Sequence, residues 1–528
     1  MSALYKINLQ QLNMPENYNF FRHIQRGIEK EGLRVTPLAA IAQTKHFPIL
    51  GAPLTHSYIT TDYSEALLEF ITPVSTDIDY SIQLLQQLHQ FTQNNIGDEY
   101  IWPTSMPCKL AGNNSIPIAQ YGDSNLGQIK SIYRQGLSHR YGRIMQSIAG
   151  IHYNFSMPDG FWPHYQKLCS NHDDLSTFKS ARYLGMIRNI QRNSWLLSYL
   201  FGASPVLDAS FIENNQAHQL ETISDNTLGL PFSTSLRMSD LGYQSKAQSS
   251  INISYNSLDK YLQDMTAAMQ QSFPDYEKIE CKMEGKYQQL NSNILQIENE
   301  HYSDVRPKRV LQSGEKPLAA LQEKGIEYVE LRLLDINPFL PVGIDELQVR
   351  FLDSFLLYCL LTESADISPQ ELTTIKQNQQ NVVLKGRDPK LQLNISNEKM
   401  LFSQAAQQLL NAIQPMSALL DQSQQIPTQN HPNNDVKSYQ HAHRAQLDKV
   451  LNSDLTPSGQ IMSAINSGIN FTDMMLNIAK ENTIKWQKKP LSEATITQFN
   501  LLAAESIQKQ HQLEASEQAP LDIFLQSY

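Results

Sequence analysis

Glu29 and Glu31 stand two residues apart in the run GIEKEGLRV at 27–35. An extended strand points alternate side chains the same way, so both carboxylates leave one face if this run is a strand. The same spacing recurs elsewhere. Glu65 and Glu69 share a face of SEALLEFIT at 64–72, with Asp62 just ahead of it in the turn TTD. His152 pairs with Asn154 in 147–156, and Glu330 with Arg332 in 326–334, while Glu327 points away. Their companions, among them Leu67, Phe70, Val329 and Leu331, are apolar. Carboxylates on well-buried strands are costly without partners, and several facing one another raise each other's pKa. A divalent cation removes that penalty. Carboxylate oxygens suit Mg²⁺, with Mn²⁺ also accommodated and one imidazole tolerated. A lone Glu-x-Glu on a strand is ordinarily a solvated face. A metal site requires the four strands to lie side by side, which spacing alone does not establish.

The chain has no GxxxxGK[ST], no GxGxxG after a strand, no HExxH and no GxSxG. P-loop, Rossmann, zinc-protease and serine-hydrolase chemistries therefore lack their signatures. Metals and arginines must hold the phosphates of any nucleotide used. Arg134, Arg237, Arg332 and the run RPKR at 306–309 are the candidates. Arg332 is favoured because it shares a face with Glu330. His441 and His443 form an HxH after a polar loop, with no acid or Cys at ligand spacing, and are set aside as ligands.

The elements that must position these residues sit in a chain of 528 residues, 41% hydrophobic and 18% charged, the profile of a globular protein. The formal net charge of −10 and the lack of a basic stripe argue against a nucleic-acid partner. Cys108, Cys169, Cys281 and Cys359 form no CxxC and read as core thiols in a reducing compartment. Residues 1–21 lack the pattern of a signal peptide, and the apolar run Phe351–Leu361 is too short for a bilayer, so the cytoplasm is expected, with no membrane partner.

Hydrophobic periodicity predicts strands at 27–35, 64–72, 147–156, 292–300 and 326–334. It predicts helices at 77–95, 125–140, 178–201, 257–273, 344–361, 459–480 and 492–514. Residues 376–395 read as polar with loops, and 421–440, rich in Gln, Asn, Ser and Pro, as a flexible loop. Strands and helices mix without regular βαβ alternation, which predicts an α+β fold with an antiparallel or mixed sheet. The expected organisation is a catalytic region, 1–375, with a mostly helical region, 376–528, packed on it as one integrated domain.

Several stretches together carry a resemblance. GIEKEGLRV (27–35), ITTDYSEALLEFITP (59–73), YRQGLSHRYG (133–142), GIHYNFS (150–156), SLRMSDLGY (235–243), QLNSNILQIENE (289–300) and IEYVELRLLDINPF (326–339) resemble the bacterial glutamate–cysteine ligase family of the gamma-proteobacterial type. The resemblance covers nearly the whole chain and is looser in the C-terminal third. It implies a curved antiparallel sheet of the glutamine synthetase-like type, flanked by helices. It places the metal-ligand set on Glu29, Glu31, Asp62, Glu69, His152 and Glu330. By analogy with glutamine synthetase, Glu31, Asp62 and Glu69 would serve one ion, and Glu29, His152 and Glu330 the ion shared with ATP.

The family's cysteine pocket falls on Tyr133, Leu137, Gln146, Ile148, Tyr243 and Tyr302, with Tyr63 nearby. Arg134, Arg237 and Arg332 match positions that hold phosphate or substrate carboxylate. The implied reaction phosphorylates the γ-carboxylate of L-glutamate with ATP, and the amine of L-cysteine then attacks. Arg332 would stabilise the transferred phosphoryl group, and Asp62 is the candidate base for the amine. Glutathione would act as feedback inhibitor, and a monomer is expected. Two other readings stay open: a carboxylate–amine ligase of the same fold with a different acceptor amine, and a non-catalytic relative that binds nucleotide or amino acid. The second is disfavoured because no metal-ligand position is lost.

Overall fold

The computed structural model describes residues 9–213, 218–242, 246–312, 315–425, 438–516 and 519–527. Its centre is a seven-stranded sheet. The strands are β1 (Gln25–Val35), β2 (Ile59–Thr61), β3 (Leu67–Ile71), β4 (Tyr100–Ile101), β5 (Ile151–Ser156), β6 (Val305–Lys308) and β7 (Tyr328–Leu334). Their order is β6–β7–β5–β1–β3–β2, and β4 pairs with the end of β1. Each pairing is antiparallel. The α+β expectation with an antiparallel sheet therefore matches the architecture.

Alternation along the strands separates two environments. On β1, Arg26, Ile28 and Lys30 face one way, and Gly27, Glu29 and Glu31 the other. Tyr153 and Phe155 of β5, with Val329 and Leu331 of β7, are fully buried on the first face. That face packs against helices α1 (Ile78–Gln93), α3 (Leu175–Leu200) and α4 (Glu346–Leu361), while α2 (Asn125–Tyr141) precedes β5 in the chain. Asp77, Ser124, Asp174 and Asp345 cap the N-termini of these four helices through their side chains. A buried ion pair ties sheet to helices: Arg26 meets Asp353 of α4 at 2.7 Å. Asp353 also accepts from the hydroxyls of Tyr153, at 2.7 Å, and Tyr439, at 3.2 Å. Tyr439 opens helix α5 (Tyr439–Leu451), so the pair also anchors the C-terminal third.

Several sequence expectations change. Residues 292–300 are not a strand: they hold one isolated bridge at Asn293 and a 3₁₀ turn, Glu298–Glu300. Side chains take the backbone groups that a neighbouring strand would need. Asn291 accepts from the Asn293 N–H, Glu300 accepts from the Gln296 N–H, and Arg140 donates to the Asn293 carbonyl. The second strand starts at Leu67, because Ser64, Glu65 and Ala66 form a turn closed by Leu67 N–H to Ser64 O at 2.9 Å. Residues 376–395 hold most of a helix, Pro369–Lys385, capped by Ser368, and a short strand, Gln392–Ile395, in place of loops.

The helix at 459–480 is two helices, Pro457–Asn466 and Phe471–Lys488. Gly468 at φ +97° and the Asn470 cap separate them. Of the loop at 421–440, residues 421–425 end a helix and 439–440 begin α5, while 426–437 lie outside the described residues. A last long helix, α6 (Glu493–Ser516), follows near the C-terminus. Among the described residues, no helix is long and apolar enough to cross a membrane.

Candidate active site

Strand register decides which acids meet. Glu31 lies opposite Glu69, Glu29 opposite His152, and Glu330 opposite Asn154. All six therefore share the sheet face turned away from the helix layer. His152 is the hub. Its Nδ1 lies 3.2 Å from Glu29 and 3.7 Å from Glu330, and its Nε2 lies 3.7 Å from Glu31. Ligand atoms of Glu29, His152 and Glu330 all fall within 4.8 Å of one another. Asp62 sits in the turn between β2 and β3, its N–H bonded to the Leu67 carbonyl at 2.9 Å. Glu65 does not join them. Its carboxylate accepts from the backbone N–H groups of His46 and Gln120, at 2.7 and 2.9 Å, because the turn at 64–66 breaks the alternation.

The face is electrically divided. Burial pushes Glu330 up, but Lys308, Arg332, His152 and Arg306 outweigh it and hold the carboxyl far below the ordinary range. Lys308 lies 3.5 Å and Arg332 3.2 Å from Glu330. Burial also pushes Glu29 up, but its bond with His152 prevails and the net direction is down. Asn154 Nδ2 donates to Glu29 at 2.8 Å as well. The other end differs. Burial and the charge of Asp62 raise Glu31, although the Gly150 N–H donates to it at 2.6 Å. Burial raises Glu69 well above the usual range, reinforced by Glu29, Asp62 and Glu31. Carboxylates crowded this way repel one another, and an oxygen-rich cluster with one imidazole has the donor chemistry of a Mg²⁺ or Mn²⁺ site.

Cations ring the cluster. Arg134 donates through Nε to the Asp62 carbonyl. Lys130 faces Glu69 and Asp62, and burial with the neighbouring Arg134 lowers its pKa to about 8. Arg237 donates to the Arg332 carbonyl at 2.9 Å and lies 3.7 Å from buried Asp335. A side chain at Gly150 would meet the Arg237 guanidinium at 2.1 Å, so that guanidinium lies close to the backbone that holds Glu31 and would have to shift to admit one. In the run 306–309, only Lys308 pairs with a cluster acid. Arg306 bonds the carbonyls of Asn299 and His301, and Arg309 pairs with Glu327.

The residues expected to receive cysteine are found as follows. Gln146 Nε2 donates to the Tyr302 hydroxyl at 2.7 Å, and Leu137 and Ile148 are buried. Tyr133 is half-buried, its phenol raised by burial and by nearby Glu300 and Tyr302. Tyr63 is buried. Tyr243 lies outside the described residues. His441 is exposed, and His443 Nε2 bonds the Leu410 carbonyl at 2.8 Å, so the HxH joins no cluster.

Sequence reading did not select Lys130, Lys308 as an individual residue, Asp335 or Gly150. Asn154 was visible as the same-face partner of His152. Lys130 had a signal too: it stands four residues before Arg134 in helix α2, on the same face.

A model of the family described as glutamate-cysteine ligase matches residues 9–382. A glutamate–cysteine ligase of Alcanivorax borkumensis is 47% identical over 511 residues, covering 96% of this chain and 95% of that protein. One of Pseudomonas fluorescens is 44% identical over 529 residues, covering 100% and 97%. The crystal structure of a Francisella tularensis glutamate–cysteine ligase in complex with AMP superposes with a TM-score of 0.87 at 35% identity, covering 95% of this chain and 97% of that one. Family model, relatives and fold agree, and the chain belongs to the glutamate–cysteine ligase family.

Proposed function

We propose that the protein joins the γ-carboxylate of L-glutamate to the amine of L-cysteine at the expense of ATP, giving γ-glutamylcysteine, ADP and phosphate, the first step of glutathione biosynthesis. The observation that carries this reading is the divided sheet face. Acids whose charged form the surrounding cations and His152 favour stand at one end, Glu330 and Glu29, and acids whose charged form burial and like charge disfavour stand at the other, Glu31 and Glu69 beside Asp62.

A carboxylate repels nucleophiles, so it must first be converted to an acyl phosphate. Both reactants of that step are anionic, and the protein must supply positive charge and alignment. Glu29, His152 and Glu330 would hold the ion on the ATP side; Glu31, Asp62 and Glu69 would hold the ion facing the amino acids. Bound Mg²⁺ would neutralise phosphate charge and align the phosphoryl group for in-line transfer. Arg332, 3.2 Å from Glu330, would add fixed positive charge beside the transferred group. Arg134 and Arg237 suit substrate carboxylates or phosphate. Asp62 would take the proton released as the amine attacks. Tyr133, Leu137, Gln146, Ile148, Tyr243 and Tyr302 would receive cysteine, and glutathione, which contains the γ-glutamylcysteinyl unit, would compete there. The sheet with its acidic face is of the glutamine synthetase-like kind.

The adenosine end of ATP fits a cavity of about 380 Å³ at the β6 edge, lined by Tyr261, Pro307, Lys308, Leu318, Leu321 and Tyr328. Tyr328 shares a face with Glu330, and Lys308 stands opposite Tyr328 in register. Lys308 therefore bridges the cavity and the acids, as a phosphate chain must.

The test is ADP release by purified protein with Mg²⁺ and glutamate across a panel of amines. Cysteine should stimulate release most strongly, with γ-glutamylcysteine as product. Glutamate-dependent release that cysteine does not stimulate would favour a different acceptor.

A further inference from the structure

Tyr121 is 1% exposed and belongs to none of the sites above, yet its contacts converge on one of them. Its hydroxyl lies 2.6 Å from the Thr61 carbonyl and 2.8 Å from the Asp62 carbonyl, so one proton is shared between two consecutive peptide groups. The Thr61 hydroxyl donates back to the phenol oxygen at 3.1 Å, which completes that oxygen's partners. The ring carries two cations: the Arg134 guanidinium 4.5 Å and the Lys130 ammonium 5.2 Å from its centroid. Arg134 in turn donates to the Asp62 carbonyl. One side chain thus holds the peptide backbone of Asp62, the guanidinium that bonds that backbone and the ammonium that faces the Asp62 carboxylate.

The neighbouring turn is fixed as well. Gly122 has φ +83°, and a side chain there would collide with Gln510 and Glu514 of helix α6. The Asp123 N–H donates to Glu514 at 3.0 Å. Helix α6 therefore seats the turn that carries Tyr121.

From this convergence we propose that Tyr121 is a positioning residue: its hydroxyl aims the Asp62 turn at the Glu31–Glu69 end of the cluster, and its ring holds Lys130 and Arg134 against that end. The inference rests on the reading of Asp62 as a ligand of the ion facing the amino acids. Beyond Asp62, the turn between β2 and β3 is held at Tyr63, Ser64 and Glu65 by bonds to Pro117, Ala119 and Gln120. The Asp62 N–H bonds Leu67, and among the described residues its carbonyl is held by the Tyr121 phenol and by Arg134.

The experiment compares Tyr121→Phe, Tyr121→Leu and Asp62→Asn in steady-state assays with Mg²⁺ titration and, without turnover, by the thermal midpoint over the same Mg²⁺ range, which reads both folding and metal binding. Tyr121→Phe keeps the ring and removes only the hydroxyl. It should raise half-saturating Mg²⁺ at least ~5-fold while KM for ATP stays within ~2-fold. Tyr121→Leu should add a further loss of ~10-fold in kcat as the cations lose their platform. Asp62→Asn should raise the Mg²⁺ requirement more than either. An Asp62→Asn effect on Mg²⁺ with an unchanged Mg²⁺ requirement in Tyr121→Phe overturns the Tyr121 inference alone. An unchanged requirement in Asp62→Asn overturns the assignment of Asp62 beneath it. A uniform fall in kcat across the Tyr121 variants, with every half-saturation constant unchanged and lower thermal midpoints, marks a purely structural role and also overturns the inference.

Discussion

Glu29 and His152 face each other across adjacent antiparallel strands, with 3.2 Å between the Glu29 carboxylate and the imidazole Nδ1. Neither residue is placed by its own strand alone. The β1–β5 register makes them opposite, and the β5–β7 register brings Glu330 to the same imidazole.

Replacing Glu29 or Glu330 with Gln should remove a ligand while relieving like charge. We expect kcat to fall by ~100-fold or more with the fold retained, because catalysis here rests on electrostatics and the shape is kept. ADP release together with a thermal melt checks both halves. Near-normal turnover in either variant contradicts the metal assignment.

Tyr302→Phe removes the acceptor of the Gln146 side chain. KM for cysteine should rise by ~5–10-fold, the scale of one lost hydrogen bond, with KM for ATP unchanged. Initial rates at varied cysteine measure it, and an unchanged apparent affinity for cysteine speaks against the pocket.

The legible part of this site was its period-2 spacing. Glu29 with Glu31, His152 with Asn154 and Glu330 with Arg332 were readable because strand geometry is local. The neighbour relations were not, since register between β1, β5 and β7 is set by pairings between residues far apart in the chain, such as Glu29 with His152 and Asn154 with Glu330. Glu65 shows the limit: its spacing from Glu69 is right, but a turn at 64–66 removes it from the strand. The segment at 292–300 misled in the same way. Its apolar alternation is that of a strand, while Asn291, Gln296 and Arg140 supply the bonds that fold it otherwise. The helices that were read have small errors at their ends, except where a glycine at positive φ split one at Gly468; the helix Pro369–Lys385 was missed, because its polar residues read as loops.

Asp353→Asn should destabilise the protein by about 3–5 kcal/mol, because it leaves the buried Arg26 guanidinium without its counter-charge. Urea unfolding followed by far-UV circular dichroism gives the value. A change near zero contradicts the role of this pair as the tie between sheet and helices.

His56 gives the pH prediction. Its Nδ1 accepts from the N–H groups of Tyr58 and Ile59, at 3.0 and 2.9 Å, which only the neutral ring can do. Burial, with Lys509 nearby, lowers its pKa to about 4. The folded state disfavours the proton, so this contribution is complete above the unfolded value near ~6.5 and is lost as pH falls from there toward about 4. His56→Asn keeps an acceptor that does not titrate. The thermal midpoint of the wild type should therefore fall more steeply than that of the variant across this window. Parallel curves contradict the prediction.

The account centres on conversion of the glutamate γ-carboxylate to an acyl phosphate on the divided acidic face. Isotope transfer tests it directly: L-glutamate carrying ¹⁸O in the γ-carboxylate is turned over with ATP, Mg²⁺ and cysteine, and the released phosphate is weighed by mass spectrometry. One ¹⁸O in each phosphate is the predicted result, since the carboxylate oxygen that attacks the phosphorus leaves with it. Phosphate free of label would contradict the account.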